Sequence, residues 1–130
     1  MTFRSAAAGE THDEGIASAE ILFSVLTPFT VDIATIPIGA VVKRVWADVI
    51  TAFNAATTNV LECGYAGNAG AYLAAADVTE GTPGVTPAGG KGPFPAETAE
   101  RTIQAKFTQT GTAATTGRAR VYVEYATPPA

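Results

Sequence analysis

The 130 residues contain one cysteine, one histidine, one tryptophan and one methionine, and these scarcities already remove several classes of function. With Cys63 alone, no intrachain disulfide framework can form, and the chain fits folding in a reducing compartment. The single histidine, His12, stands near the start of the chain, so a Ser-His-Asp or Cys-His nucleophile would have its base outside the core. No apolar run approaches the ~20 residues needed to span a bilayer. The opening MTFRSAAAGETHDEG has no apolar core of a secretory signal, so a soluble chain made in the cytoplasm is expected.

Charge is also scarce. Asp, Glu, Lys and Arg make up 15% of the chain, against roughly 25% in ordinary soluble domains. Residues 1–100 carry a net −7 and residues 101–130 a net +3, an asymmetry that could guide docking between copies or onto another protein. No basic patch interleaved with aromatics occurs, which disfavours nucleic acid as a partner. What is abundant is Ala, Thr and Gly, and a surface of small residues and hydroxyls can be covered by partners without stranding ions.

Along the chain, residues 1–18 are small, polar and without sustained period, so they read as an extended N-terminal arm with Phe3 and Arg4 as its anchors. Residues 19–130 then read as a single domain. Glu20 to Thr27 and Phe29 to Ile36 are strand candidates bounded by Pro28 and Pro37. Val41 to Phe53 is the longest strand signal, with Val41, Val45, Ala47, Val49 and Phe53 expected on the core side. Trp46 falls on the mixed side, where it packs at the core edge or makes a subunit contact. Val60 to Gly64 is a short strand, and Asn68 is placed to cap a short helix running to Ala76.

The segment 79–98, TEGTPGVTPAGGKGPFPAET, is dense in Gly and Pro and is expected to form a long loop tipped by Phe94. A closing hairpin is expected from the alternation of Ile103, Ala105 and Phe107 and of Ala119, Val121 and Val123. With no βαβ rhythm, the fold class is all-β: an antiparallel β-sandwich or jelly roll with one short helix.

Catalytic signals are weak, and no enzyme is expected. Glu10, His12, Asp13 and Glu14 resemble a metal set only in composition, because a mobile arm lacks rigid ligand geometry. No cofactor or metal is therefore called. Asp48, Glu62 and Glu124 lie on strands and could form a glycosidase pair or serve as solvent-facing charges. GVTPAGGKG, residues 84–92, misses the phosphate-loop spacing and has Gly92 where that motif requires a hydroxyl.

The segment from Val41 to Val78, with its AFN and AYLAAAD stretches, followed after the Gly/Pro loop by ERTIQAKFTQTGTAATTGRARVYVEYA, resembles small virion structural proteins of tailed bacteriophages. The resemblance is to capsid decoration or cement proteins. It implies a homo-oligomer on the capsid exterior, assembled in the host bacterial cytoplasm and bound to the major capsid protein, with no membrane or nucleic-acid partner. The interface residues expected on this basis are Phe3, Arg4, Trp46, Tyr65, Tyr72 and Phe94. A tail or fibre component stays open as an alternative. So does a carbohydrate-binding module using Trp46, Tyr65 or Tyr72 as a sugar platform.

Overall fold

The computed structural model describes residues 14–128. Their strands are β1 (Glu14–Leu22), β2 (Phe29–Ile36), β3 (Val41–Thr51), β4 (Thr58–Tyr65), β5 (Asn68–Leu73), β6 (Gly84–Lys91), β7 (Arg101–Thr110) and β8 (Arg118–Ala126), with one 3-10 turn at Ala75–Asp77. Two antiparallel sheets result, the first in the order β1-β8-β3-β6 and the second in the order β2-β7-β4-β5. First pairs with last and second with seventh, as when one long hairpin is rolled up. That is the strand order of a jelly roll, a two-sheet solution to burying alternating strands.

The core lies between the sheets. Ile21, Val42, Val45, Val49, Val121 and Val123 point inward from the first sheet, and Ile36, Leu61, Leu73, Ile103 and Phe107 from the second, all essentially inaccessible. Each such side chain contributes roughly 1.5–3 kcal/mol on burial. Phe53, just beyond β3, meets Phe107 with ring centroids 4.8 Å apart. Gly117 permits this contact: its φ is +148°, and a Cβ there would strike the Phe53 ring.

Several sequence expectations are corrected. The first strand begins at Glu14 and ends at Leu22, so Glu14–Ser18 belong to the sheet and not to an arm. Its inward positions are Gly15, Ala17, Ala19 and Ile21, whose small side chains give little hydrophobic signal. The rest of the arm, with Phe3 and Arg4, lies outside the described residues. In β3 the register shifts between Val42 and Arg44, and this bulge turns Val42 inward in place of Val41.

The helix expected from Asn68 to Ala76 is instead β5 followed by the 3-10 turn. Ala66 and Gly67, the latter at φ +91°, join β4 to β5 as a hairpin pairing Tyr65 with Asn68, and sheet pairing overrides alanine's helix propensity.

The long loop is interrupted by β6, which pairs with β3. Its Pro87 is tolerated because an edge strand needs hydrogen bonds on one side only. Gly90, at φ +79°, lies so close to β3 that a Cβ would come 2.6 Å from the Arg44 Cγ. Finally, β7 and β8 do not form a hairpin. β7 pairs with β2 and β4 and β8 with β1 and β3, so the two sit centrally in opposite sheets, where their apolar sides face each other across the core.

Candidate contact surfaces

Strand register builds the outward face of the first sheet in rows. Arg44 on β3 stands opposite Glu124 on β8, and the pair is bridged at 3.1 Å. In the next row Trp46 faces Tyr122. Their rings stack with centroids 5.2 Å apart and planes 11° apart, and the Arg44 guanidinium sits 5.0 Å from the Trp46 ring. The third row runs Asp48, Arg120, Glu20. The Glu20 carboxylate accepts a 2.6 Å hydrogen bond from Arg118 and lies 3.9 Å from Arg120. Trp, Tyr and Arg are the residues most enriched at interface hot spots, and here they converge on one sheet face.

A second cluster fastens the Gly/Pro segment. Tyr72 is 3% exposed, and its hydroxyl donates to Glu97 at 2.7 Å. Arg101 donates to the same carboxylate at 3.1 Å while its guanidinium lies 4.1 Å over the Tyr65 ring. Tyr72 meets Phe94 and Tyr65 edge-on at 5.1 and 5.9 Å. Backbone bonds complete the clasp: Phe94 N–H to Val42 at 3.0 Å and Glu97 N–H to Ala40 at 2.8 Å. Burial, reinforced by Glu97, raises the Tyr72 hydroxyl well above the ordinary tyrosine range, so it remains a donor at any physiological pH.

These positions sort the expected interface residues. Trp46 is half-buried on the first sheet's outward face, Phe94 is tucked against Tyr72, and Tyr65 is half-buried beneath Arg101. Tyr72 is sealed inside and offers no outward surface. The residues that sequence reasoning passed over are Tyr122, Glu97 and Arg101. Tyr122 carried a signal, since it alternates with Val121 and Val123 on the polar side of its strand.

A sugar platform needs an open aromatic face, and none of the three candidates provides one: Trp46 is engaged by Tyr122 and Arg44, Tyr65 by Arg101, and Tyr72 is buried. The carboxylates also fail to pair as a glycosidase would require. Glu62 belongs to the second sheet, whereas Asp48 and Glu124 lie in the first, about four residues or ~13 Å apart along the strands, beyond the ~9.5 Å upper limit. Lys91, the lysine of the Gly-rich stretch, is held by Asp77 at 2.6 Å.

No cluster of three or more metal-ligating side chains occurs among the described residues. The Cys63 thiol is buried, and desolvation pushes its pKa up to about 12, which leaves it unreactive. A shallow pocket of about 160 Å³ bordered by Thr30, Tyr65, Gln104 and Lys106 is smaller than the roughly 300 Å³ at which ligand sites begin.

Two further carboxylates serve the framework. Glu80 is 9% exposed. Its side chain accepts the Leu61 N–H at 2.8 Å, and its backbone carbonyl accepts the Phe53 N–H at 3.0 Å, so it ties β4 to the end of β3. Burial raises its pKa above the ordinary 4.5. Asp77 responds in the opposite direction: the Lys91 ammonium, with the Ala74 N–H, holds it below the ordinary 3.8.

Against known proteins, no family model matches the sequence, and no curated protein matches it. Two solved structures do share the fold. One is a chain described as "Cyanophage Pam1 capsid asymmetric unit", with a TM-score of 0.64 and 20% identity over 98% of this chain and 93% of that one. The other is from "Acidic stable capsid structure of Helicobacter pylori bacteriophage KHP30", with a TM-score of 0.63 and 16% identity over 92% of this chain and 94% of that one. At such identities the likeness is one of fold, and it extends over nearly the whole length of both partners.

Proposed function

We infer that this chain is a structural protein of a phage virion, a decoration or cement protein that binds the outside of the capsid shell and reinforces it. The observation that carries the inference is the two-way coverage, 98% and 93%, with a chain from a phage capsid. Neither protein needs a further domain for the match, so the jelly roll itself is the shared unit. Fold alone does not assign function, and the surface chemistry supports the reading independently. The aromatic and guanidinium groups gather on one broad sheet face, where Arg44 pairs with Glu124 and Arg118 with Glu20.

A shell with many copies converts weak contacts into strong retention through avidity. In this reading the major capsid protein is the partner, and Trp46 with Tyr122 forms the centre of the contact. Phe94 and Tyr65 shape a second contact at the clasp, and residues 1–13, with Phe3 and Arg4, supply a third. Assembly takes place in the host bacterial cytoplasm. Mass spectrometry of purified particles tests membership of the virion, and the chain is expected at a copy number comparable to that of the shell subunit. Deleting residues 2–13, which leaves every described strand intact, is expected to lower occupancy on particles without changing the thermal melt. Full occupancy of the shortened chain would remove the arm from the contact.

A further inference from the structure

The jelly roll has four edge strands, β1, β6, β2 and β5, and they are not equally protected. Each edge strand presents outward-facing N–H and C=O groups that can template another strand, and proteins usually blunt such edges with bulges, prolines, lysines or short length. β6 contains Pro87 and its pairing with β3 is shifted. β2 carries a register shift between Asp32 and Ala34. β5 is only six residues long, and the pairing along it is shifted. β1 has no bulge, proline or lysine and is not short, and its two charges are Glu14 at its first position and Glu20, which is held by Arg118 at 2.6 Å. Its nine residues run in unbroken register with β8 from Glu14 to Leu22, without proline or lysine, and it exposes Ile16 at 59% and Leu22 at 41%.

The residues of β1 are also self-complementary. Antiparallel pairing of two copies must keep outward residues opposite outward residues, which restricts the register to even offsets. Centring the pair on Ala17 sets Glu14 against Glu20 of the other copy, a like-charge opposition that destabilises. Centring it on Ser18 sets Ile16 against Glu20 and Leu22 against Glu14, each an apolar group facing a charge. Centring it on Ala19 sets Ile16 against Leu22 twice and Ser18 against Glu20 twice. The exposed apolar side chains then cover each other, the serine hydroxyls donate to the carboxylates, and Glu14 overhangs beyond Leu22. The inward residues Ala17 and Ile21 meet on the core side.

We propose that β1 is a homotypic docking edge, at which a second copy of this chain pairs antiparallel about Ala19 to join the two first sheets into one continuous eight-stranded sheet. The contact is isologous, with the same strand presented by both copies. It does not require a capsid, so it stands or falls separately from the proposed function.

Analytical ultracentrifugation of the full-length chain tests it. Wild type is expected to show a concentration-dependent monomer–dimer equilibrium. Ile16→Lys and Leu22→Glu are each expected to weaken the dimer about tenfold, because each removes both apolar cross-strand pairs. Both residues are exposed, so circular dichroism and the melt of the monomer stay close to wild type. The double variant Ile16→Lys/Leu22→Glu is the decisive species. Within one chain these residues are about 20 Å apart along the strand, but across the two-fold each lysine meets a glutamate, and dimerisation recovers. A chain that stays monomeric at its highest soluble concentration, an oligomer other than a dimer, a dimer indifferent to Ile16→Lys, or failure of the double variant to recover would each overturn the proposal.

Discussion

The two outward faces of this sandwich cover one core and differ in almost everything else. On the first sheet, Trp46 and Tyr122 stack at 5.2 Å, and around them Arg44, Arg118 and Arg120 mesh with Glu124 and Glu20. On the second, Thr35 and Thr102 share a hydroxyl bond of 3.1 Å, Thr58 and Thr110 one of 2.6 Å, and Gln104 donates to Asp32 at 2.9 Å. Core packing places no such demand on the outside, since both inner faces are uniformly apolar. The first sheet's face is the better suited to a contact, because large side chains with fixed partners are already ordered before binding and so lose little entropy on docking. A threonine face is easily hydrated and holds few residues of hot-spot type.

Trp46→Ala removes a half-buried ring together with its stack and its cation contact. It is expected to cost roughly 2 kcal/mol in a denaturant titration and to reduce particle occupancy. A loss below a few tenths would mean that the stack organises nothing.

The pH response of the two sides is expected to run in opposite directions. Glu80, bonded to β4 of the second sheet, has its folded pKa raised above 4.5 by burial, so the folded state holds its proton more tightly than the unfolded one. Its contribution is fully present below pH 4.5 and is lost as pH rises through the folded value. Asp77, paired with Lys91 of the first sheet, is lowered below 3.8. Its contribution is present above pH 3.8 and is lost as pH falls through the folded value. Melts across the acid range should therefore show that Glu80→Gln gains on wild type as pH rises from 4.5, whereas the deficit of Asp77→Asn shrinks as pH falls below 3.8. Parallel profiles for the two variants would contradict the assignments.

Arg118→Ala breaks an exposed ion pair with Glu20 and is expected to cost ~0.5 kcal/mol, less in high salt. Thr102→Val on the opposite face is expected to stay within about 0.5 kcal/mol of wild type and to leave occupancy unchanged. A strong occupancy defect from the threonine variant would transfer the contact to the second sheet.

How much of this was legible in the sequence depended on what each strand exposes. Phe29–Ile36 is legible at its observed bounds because large β-branched and aromatic residues alternate between two prolines. Glu14–Ser18 was hidden because its inward positions are Gly and Ala, which pack without announcing themselves. Gly84–Lys91 was hidden by the very residues, Pro87 and its glycines, that suit an edge strand lying close against β3. Alternation in Arg101–Thr110 and Arg118–Ala126 showed two strands but not that they occupy opposite sheets, since periodicity reports a buried face and not the neighbour across the ladder. The candidate contact surfaces are half visible for the same reason. Trp46 stands out as the single tryptophan, but its partner Tyr122 arrives through the β3–β8 register, and the Glu97 carboxylate that joins Tyr72 to Arg101 arrives through the path of a Gly/Pro segment.

On the reading proposed above, this jelly roll is a capsid structural protein seated on the outside of the shell. Cryo-electron microscopy of purified virions, at a resolution that distinguishes strands, tests it most directly. The expected map shows two four-stranded sheets in the orders β1-β8-β3-β6 and β2-β7-β4-β5 on the outer capsid surface, repeated with the shell's symmetry, with the Trp46–Tyr122 face turned toward the major capsid protein. Particles that lack the chain, or that carry it only on the tail, would contradict it.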